Sequence, residues 1–414
     1  MENQLFYPHI HWNTTRKFLL RFVLVFFGLQ ILPVLSFIGD DIYPIISKTI
    51  FSIDKISLEP TGSGDMYYNY MELFLCFVLA IIASLVWSLF NKKEKGYDTL
   101  LHYFLVFCRY YLAYSLIGYG YAKIFYGQFG APGLERLLQP YGDSSPMGIA
   151  WTFIGASKPY TMFSGFAELI GGVLLLFRTT AVLGALIGFV VMFNVMVMNF
   201  CYDIPVKLYS TQLVVLSFII MYCMGHNLKL VLIHNKPTES VIFKPLFQKK
   251  WLKISRVIFK ISVLFYLLGF DGYEQYQSIA EYGPDAPKAP LYGIYKPVQL
   301  IKNNDTLKLY SDSSEWKNLV IEYSGYAMVK QLNDRKIRLK FDVDTIKKSI
   351  ITYEESDTLK KFNLTYKLLN DTTLQLNGVY KKDTINYVLG KVNLKSFRLI
   401  NRGFHWVNEY PYNR

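Results

Sequence analysis

Apolar residues in this chain are gathered into runs, and the runs are about as long as a helix must be to cross a bilayer, roughly 17–25 residues. They cover 18–38, 71–89, 102–125, 160–177, 180–200 and 208–224, with a shorter run at 257–270 that carries Lys260. Composition agrees, since 52% of the 414 residues are apolar and 17% aromatic, too apolar for a water-soluble chain unless the residues were spread evenly. The first run follows Arg16 and Lys17 as a secretory leader would, but it is too long and no small-residue cleavage site follows it. Beyond about Phe270 polar and apolar residues mix at short period, so the chain reads as two regions of different physics.

Basic residues resist translocation, and the short loops that hold them mark one face of the membrane. Arg16 and Lys17, then Lys92, Lys93 and Lys95, then Arg178, then the series from Lys229 to Arg256 fall on alternate sides of successive runs. That face is expected to be cytoplasmic. The opposite face takes 40–67, with Asp40, Asp41 and a Gly/Ser/Asp turn, and 271–287, which is acidic and lacks Lys and Arg. The expected organisation is 1–98, a cytoplasmic N-terminal tail and two spans; 99–225, a four-helix core; 226–273, a basic cytoplasmic loop and a seventh span; and 274–414, an extracytoplasmic β-rich domain. Such a chain belongs in the inner (plasma) membrane, in contact with lipid. The net charge of +13 is accounted for in large part by the cytoplasmic loops, and the C-terminal region alternates its charges, so no nucleic acid is expected as a partner.

The C-terminal texture is that of short strands. Segments 319–323, 336–342, 348–353, 363–368, 373–376 and 385–389 alternate or are β-branched, and Asn-Asp and Lys-Asp turns separate them. They predict an antiparallel meander closing into a small barrel, with 282–297 as the linker before it and 397–414 as a last aromatic-rich strand. The fold class is therefore mainly α, a multi-pass helix bundle, followed by an all-β meander or barrel.

Redox chemistry is narrowed by what the sequence lacks. Cys76, Cys108 and Cys223 lie inside runs, Cys201 lies at the end of one, and no CxxC occurs. His9, His11, His226, His234 and His405 lie outside the runs and His102 at the edge of one, so neither haem nor metal is expected. If the bundle does redox work, its cofactor has to be exchangeable and lipid-soluble, which points to a membrane quinone.

Polar residues inside an apolar helix cost about 2.5–3.5 kcal/mol each on the lenient insertion scale and mark function or packing. They are Arg109 and Lys123 in the third span, Glu168 in the fourth, Asn194 and Asn199 in the fifth, with Asp203 and Lys207 just beyond, and Gln212 in the sixth. Arg109, Leu116 and Lys123 recur every seven residues and share a face with Tyr119. Gly118, Gly120, Gly165, Gly171, Gly172, Gly184 and Gly188 provide close helix contacts. Counting about 1.5 Å per residue from the cytoplasmic ends puts Arg109 roughly 9–11 Å and Glu168 roughly 14 Å deep, which predicts an ion pair between them.

Several of these residues sit in recognisable surroundings: Arg109, Gly118-Tyr119-Gly120-Tyr121-Ala122-Lys123, Trp151 to Gly155, Phe166-Ala167-Glu168-Leu169-Ile170-Gly171-Gly172, Leu174 to Arg178 and Asn199 to Lys207. Together they resemble the DoxX family of membrane proteins, over about residues 105–215. The resemblance implies a four-helix core in a group that includes subunits of a quinone-linked thiosulfate oxidoreductase and membrane partners of redox proteins. It implies Lys123 and Glu168 as reacting groups, with Tyr119, Lys123, Asn194, Asn199 and Asp203 around a quinone, and a redox or extracytoplasmic protein as partner. Tyr119 to Lys123 is also similar to the membrane domain of vitamin K-dependent γ-glutamyl carboxylase, where a desolvated Lys is the base. A third possibility is a scaffold, without catalysis, that binds a partner through its β domain.

The seven-span reading has a direct check. A reporter active only outside the cytoplasm is expected to be active when fused after Arg414 and silent after Lys250. Activity at Lys250 would overturn the arrangement.

Overall fold

The computed structural model describes residues 10–32, 35, 39–54, 56, 64–90, 96–238, 249–284, 286–380 and 383–412. Part of the expected first span (33–34 and 36–38), the basic residues Lys92, Lys93, Lys95 and Lys244, and 62–63 of the expected turn lie outside them. The chain divides into two compact units, Met1–Phe125 with Tyr160–Tyr276, and Tyr126–Pro159 with Gln277–Arg414.

The helices in chain order are α1 (Thr14–Ile31), α2 (Gly39–Phe51), α3 (Tyr67–Phe90), α4 (Tyr97–Ile124), α5 (Leu134–Leu137), α6 (Pro146–Gly155), α7 (Lys158–Leu176), α8 (Ala181–Cys201), α9 (Lys207–Met224), α10 (His226–Leu232) and α11 (Lys250–Leu264). A π-helical segment, Phe265–Phe270, joins α11 to α12 (Asp271–Tyr282). Among the described residues α3, α4, α7, α8 and α9 are long and apolar enough to cross a membrane. The other two expected spans differ from these. Helix α1 ends at Ile31 and holds Arg16, Lys17 and Arg21. The 257–270 run is the middle of one longer helical stretch that starts at Lys250, with Lys253, Arg256 and Lys260 in its first half.

In the first unit α4 is the central helix. Its Leu105, Cys108, Leu112, Leu116 and Ile117 are buried against Leu175 of α7, Ala185 of α8 and Leu213 and Leu216 of α9. Glycine sets how closely these backbones approach. A Cβ on Gly120 would lie 2.9 Å from the Leu169 nitrogen, one on Gly165 2.7 Å from the Gly120 carbonyl oxygen, and one on Gly172 3.0 Å from the Ala113 oxygen. One on Gly184 would lie 2.7 Å from the Leu175 nitrogen, so α7 and α8 touch in the same way. The Asp65 carboxylate accepts from the first backbone N–H groups of α9, Lys207 at 2.6 Å and Leu208 at 2.9 Å.

The second unit is built on strands β1 (Gly293–Lys302), β2 (Asp305–Leu307), β3 (Trp316–Ile321), β4 (Gly325–Gln331), β5 (Lys336–Asp344), β6 (Ser349–Glu354), β7 (Phe362–Asn370), β8 (Thr373–Tyr380) and β9 (Asp383–Lys391). From β3 onward each pairs antiparallel with its successor, and β1 pairs with both β3 and β9, so eight strands close into a barrel with β2 as a short hairpin arm on β1. Inward residues fill it, among them Leu319, Leu374, Leu376 and Leu389, with Trp316 stacked on Tyr387 at 4.6 Å between centroids.

Two expectations are corrected here. The end of the expected linker, from Gly293 to Pro297, belongs to β1, and Pro297 sits at a register shift between Pro297 and Gln299. A proline is tolerated at such a bulge because it lacks the N–H that a regular ladder requires. Through residue 412 the expected last strand at 397–414 is not one: it holds the short helix α13 (Arg398–Asn401) and then an exposed, irregular chain in which Phe404 and Trp406 are 84% and 88% exposed. The barrel needs no strand from it, because β1 closes on β9.

Strands β3 and β4 are buried on both faces. Their inner residues join the barrel core, and on the outside Ile294, Val320 and Met328 pack with Leu134 from the 126–159 excursion. Glu322 fastens the excursion, its carboxylate accepting from the Leu134 N–H at 3.0 Å, and Lys336 lies 3.7 Å from Glu135. Arg136 braces it from within by donating to Thr152 at 2.6 Å and Gln139 at 2.7 Å.

Burial holds the Glu322 carboxyl above the ordinary Glu range of about 4.5, and its backbone donors offset this only in part. The folded unit thus binds that proton more tightly than the unfolded chain, so Glu322's contribution to stability falls as pH rises from about 4.5 through the raised value. Hydrogen exchange at Leu134 and β3, corrected for intrinsic rates, is expected to report this slope in the native protein and a flatter one in Glu322→Gln. Equal slopes would mean that Glu322 titrates as an exposed carboxyl does.

Candidate functional site

Lys123 lies in the last turn of α4 and Glu168 near the middle of α7. Lys123 Nζ donates to Glu168 Oε2 at 2.6 Å, with the two side chains 7% and 2% exposed. The Tyr119 ring lies beneath the ammonium, 5.4 Å from Nζ to centroid, and the Tyr209 ring from α9 is 6.0 Å from that of Tyr119. Tyr209 Oη donates to Ser115 Oγ at 2.8 Å, and Ser115 donates to the Tyr111 carbonyl at 3.0 Å. Lys123, Tyr119 and Glu168 stand on the two helices whose approach the glycine contacts fix: Gly165 is one turn from Glu168, and Gly120 one residue from Tyr119.

The expected Arg109–Glu168 pair is replaced by this one. Arg109 directs Nε and Nη2 to the Leu175 carbonyl at 3.0 and 2.8 Å, seven residues along α7 from Glu168. The reason is helix register. Gly172 packs on Ile117 and Ala113, and from the middle of that crossing Arg109 lies about six residues one way and Glu168 about four the other, about 15 Å apart along the antiparallel axes. Depth counted from span ends misplaces them because α4 begins well beyond the level at which the antiparallel α7 ends.

Other expected site residues are placed elsewhere. Asn199 is buried, but its amide donates to Ser210 Oγ at 3.0 Å and the Val206 carbonyl at 3.2 Å, closing the α8–α9 turn. Asp203 pairs with Lys207 at 2.8 Å and has its side chain 88% exposed. Asn194 is exposed on α8 beside Val190, Phe193 and Val197. Lys123, Glu168 and Tyr119 are therefore the expected site residues that the structure brings together.

Sequence reasoning overlooked Arg21, a buried cation of α1 that donates to Ser88 and to the Tyr97 hydroxyl. It also overlooked Tyr209 and Ser115, whose hydroxyls gave no charge signal. A charge inside the first apolar run was the available sign for Arg21, and nothing comparable marks the other two.

The ion pair is buried deeply enough that breaking it leaves a stranded charge, which costs about 3–5 kcal/mol in soluble proteins. Lys123→Met and Glu168→Gln are each expected to lower the thermal midpoint, and the double variant to lose less than the sum of the two. Strict additivity would show the two groups to be uncoupled.

Among curated proteins, the uncharacterized protein YwoB of Bacillus subtilis (strain 168) is 37% identical over 134 residues, which is 32% of this chain and 83% of that protein. No protein-family model matches the chain. No solved structure matches it either.

Proposed function

The chain belongs to the family of the uncharacterized protein YwoB of Bacillus subtilis, and from that premise we propose that it is the membrane component of a quinone-linked redox system, as its likeness to DoxX proteins suggests. In this reading it sits in the inner membrane with its N-terminus cytoplasmic and its β domain outside, where a redox partner docks. The observation that carries the reading is the Lys123–Glu168 pair at 2.6 Å between two apolar helices.

Such a pair has little value as a stabiliser, because desolvating two charges offsets most of their attraction. Its chemical value is different. It places a donor, an acceptor and an exchangeable proton side by side, away from water, with the Tyr119 face beside them. The donor set fits a quinone head group, which when bound supplies a two-electron, two-proton couple. Lys123 Nζ is the donor to a carbonyl oxygen, and Glu168 holds the proton that moves. Tyr119 and Tyr209 exclude water from the bundle side. Electrons have to come from the partner, since the pair carries protons only. A lysine hydrogen-bonded to a carboxylate serves as donor more readily than as base, which favours this reading over the carboxylase-like one.

The test is the quinone content of the detergent-purified protein by lipid extraction. Wild type is expected to retain quinone. Lys123→Met/Glu168→Gln, which strands no charge, is expected to fold and to lose it. Equal content in both would leave the pair structural, and a quinone-free wild type that co-purifies with a soluble protein would favour the scaffold.

A further inference from the structure

After β9 the chain leaves the barrel but stays fastened to it. Val392, Leu394 and Phe397 pack on the outer cluster of Ile294, Val320 and Met328, and Asn401 Nδ2 donates to the Lys395 carbonyl at 3.0 Å. Beyond α13 the chain closes on itself as a loop. Arg402 Nη2 donates to Asn408 Oδ1 at 2.6 Å, and its guanidinium lies 4.0 Å from the centroid of the Tyr412 ring. His405 Nδ1 is 2.8 Å from the Gly403 carbonyl oxygen, a further contact inside the loop.

What the loop presents is apolar. Between the two ends that Arg402 holds, Phe404, Trp406 and Val407 are 84%, 88% and 79% exposed, and the two rings lie 6.0 Å apart between centroids. A single exposed apolar residue needs no explanation, but two large rings and a valine grouped on a closed loop form a patch that water disfavours. Tyr410 and Tyr412 follow the patch in the chain, both exposed, and Lys395 and Arg398 stand exposed where the loop begins. From 395 to 412 Lys395, Arg398 and Arg402 face one acid, Glu409. Indole and phenyl rings that enter apolar material, phenols that keep a hydroxyl in water and surplus positive charge are the residue types of a membrane–water interface.

We propose that the 402–412 loop is a membrane anchor of the β domain, with Phe404, Trp406 and Val407 entering the boundary between headgroups and acyl chains of an anionic bilayer. The occupant follows from the rest of the chain. Helices α3, α4, α7, α8 and α9 are long and apolar enough to cross a membrane, so a bilayer travels with the loop and meets it at high effective concentration. Lys395 and Arg398 add attraction to an anionic surface, and interfacial binding grows with both buried apolar area and such charge. The anchor rests on the chain's being embedded in a membrane and is independent of the quinone reading of Lys123 and Glu168.

The experiment is tryptophan fluorescence of the full-length protein in lipid nanodiscs, where subtracting the Trp406→Phe spectrum from wild type isolates Trp406. In discs of phosphatidylcholine with phosphatidylglycerol, the Trp406 emission is expected to be quenched by acyl chains brominated near the headgroup and protected from aqueous iodide. Discs of phosphatidylcholine alone, or the Lys395→Gln/Arg398→Gln variant in mixed discs, are expected to show weaker bromolipid quenching. Trp406 emission that iodide quenches and bromolipid does not would overturn the anchor, whether water or a protein surface is what the loop meets. Bromolipid quenching equal in both lipids would overturn the part given to charge. A chain that fails to enter nanodiscs would remove the premise of membrane embedding, and the anchor with it.

Discussion

Backbone contact between α4 and α7 is the constraint from which the candidate site follows. Gly120, Gly165 and Gly172 leave no room for a Cβ between the helices, so a shift of one helical turn would drive side chains into backbone. In an apolar solvent no hydrophobic force selects among helix registers, and small-residue packing with internal polar contacts has to do so. The glycines thus decide which buried charges meet. They bring Lys123 to Glu168 and Arg109 to a carbonyl at the end of α7. Arg21 shows the same logic in α1, where a guanidinium in an apolar run is satisfied by Ser88 and Tyr97 on other helices.

What could be read in advance divides along the same physical line. The apolar runs that became α3, α4, α7, α8 and α9 were legible because length and hydropathy are properties of one segment. Lys123, Glu168 and Tyr119 were legible as functional candidates because polar groups in such runs need a reason. Their partnership was not, since it depends on the offset between two helices, and span boundaries carry errors as large as the offset itself. Asn199 and Asp203 looked like site residues for the same reason as Lys123. In the structure they close and flank the α8–α9 turn, a local arrangement that spacing alone does not reveal.

The β unit shows the limit of alternation as a signal. Strands β5 to β9 have one buried and one wet face and were visible as alternating runs. Strand β4 was invisible because the excursion covers its outer face, so its residues are buried on both sides and the period of two disappears. Strand β1 was hidden by Pro297, which in an isolated sequence argues for a linker and in the barrel marks a bulge. Once β1 is recognised, β9 has a partner, and the aromatic tail after residue 397 is no longer needed to close the sheet. One misread strand thus led to a second.

The buried polar groups of the bundle also differ in how far structure alone explains them. Asp65 satisfies two orphan N–H groups of α9, which its removal would leave without that partner, and Asn199 adds a donor to a turn whose Val206 carbonyl also accepts from Ser210. Lys123 donates to Glu168. Apolar residues of similar volume could replace both without exposing any backbone group, and in soluble proteins such replacements are often neutral or stabilising. The place of that pair between helices that glycine holds in fixed register is what the proposed quinone-linked reading rests on.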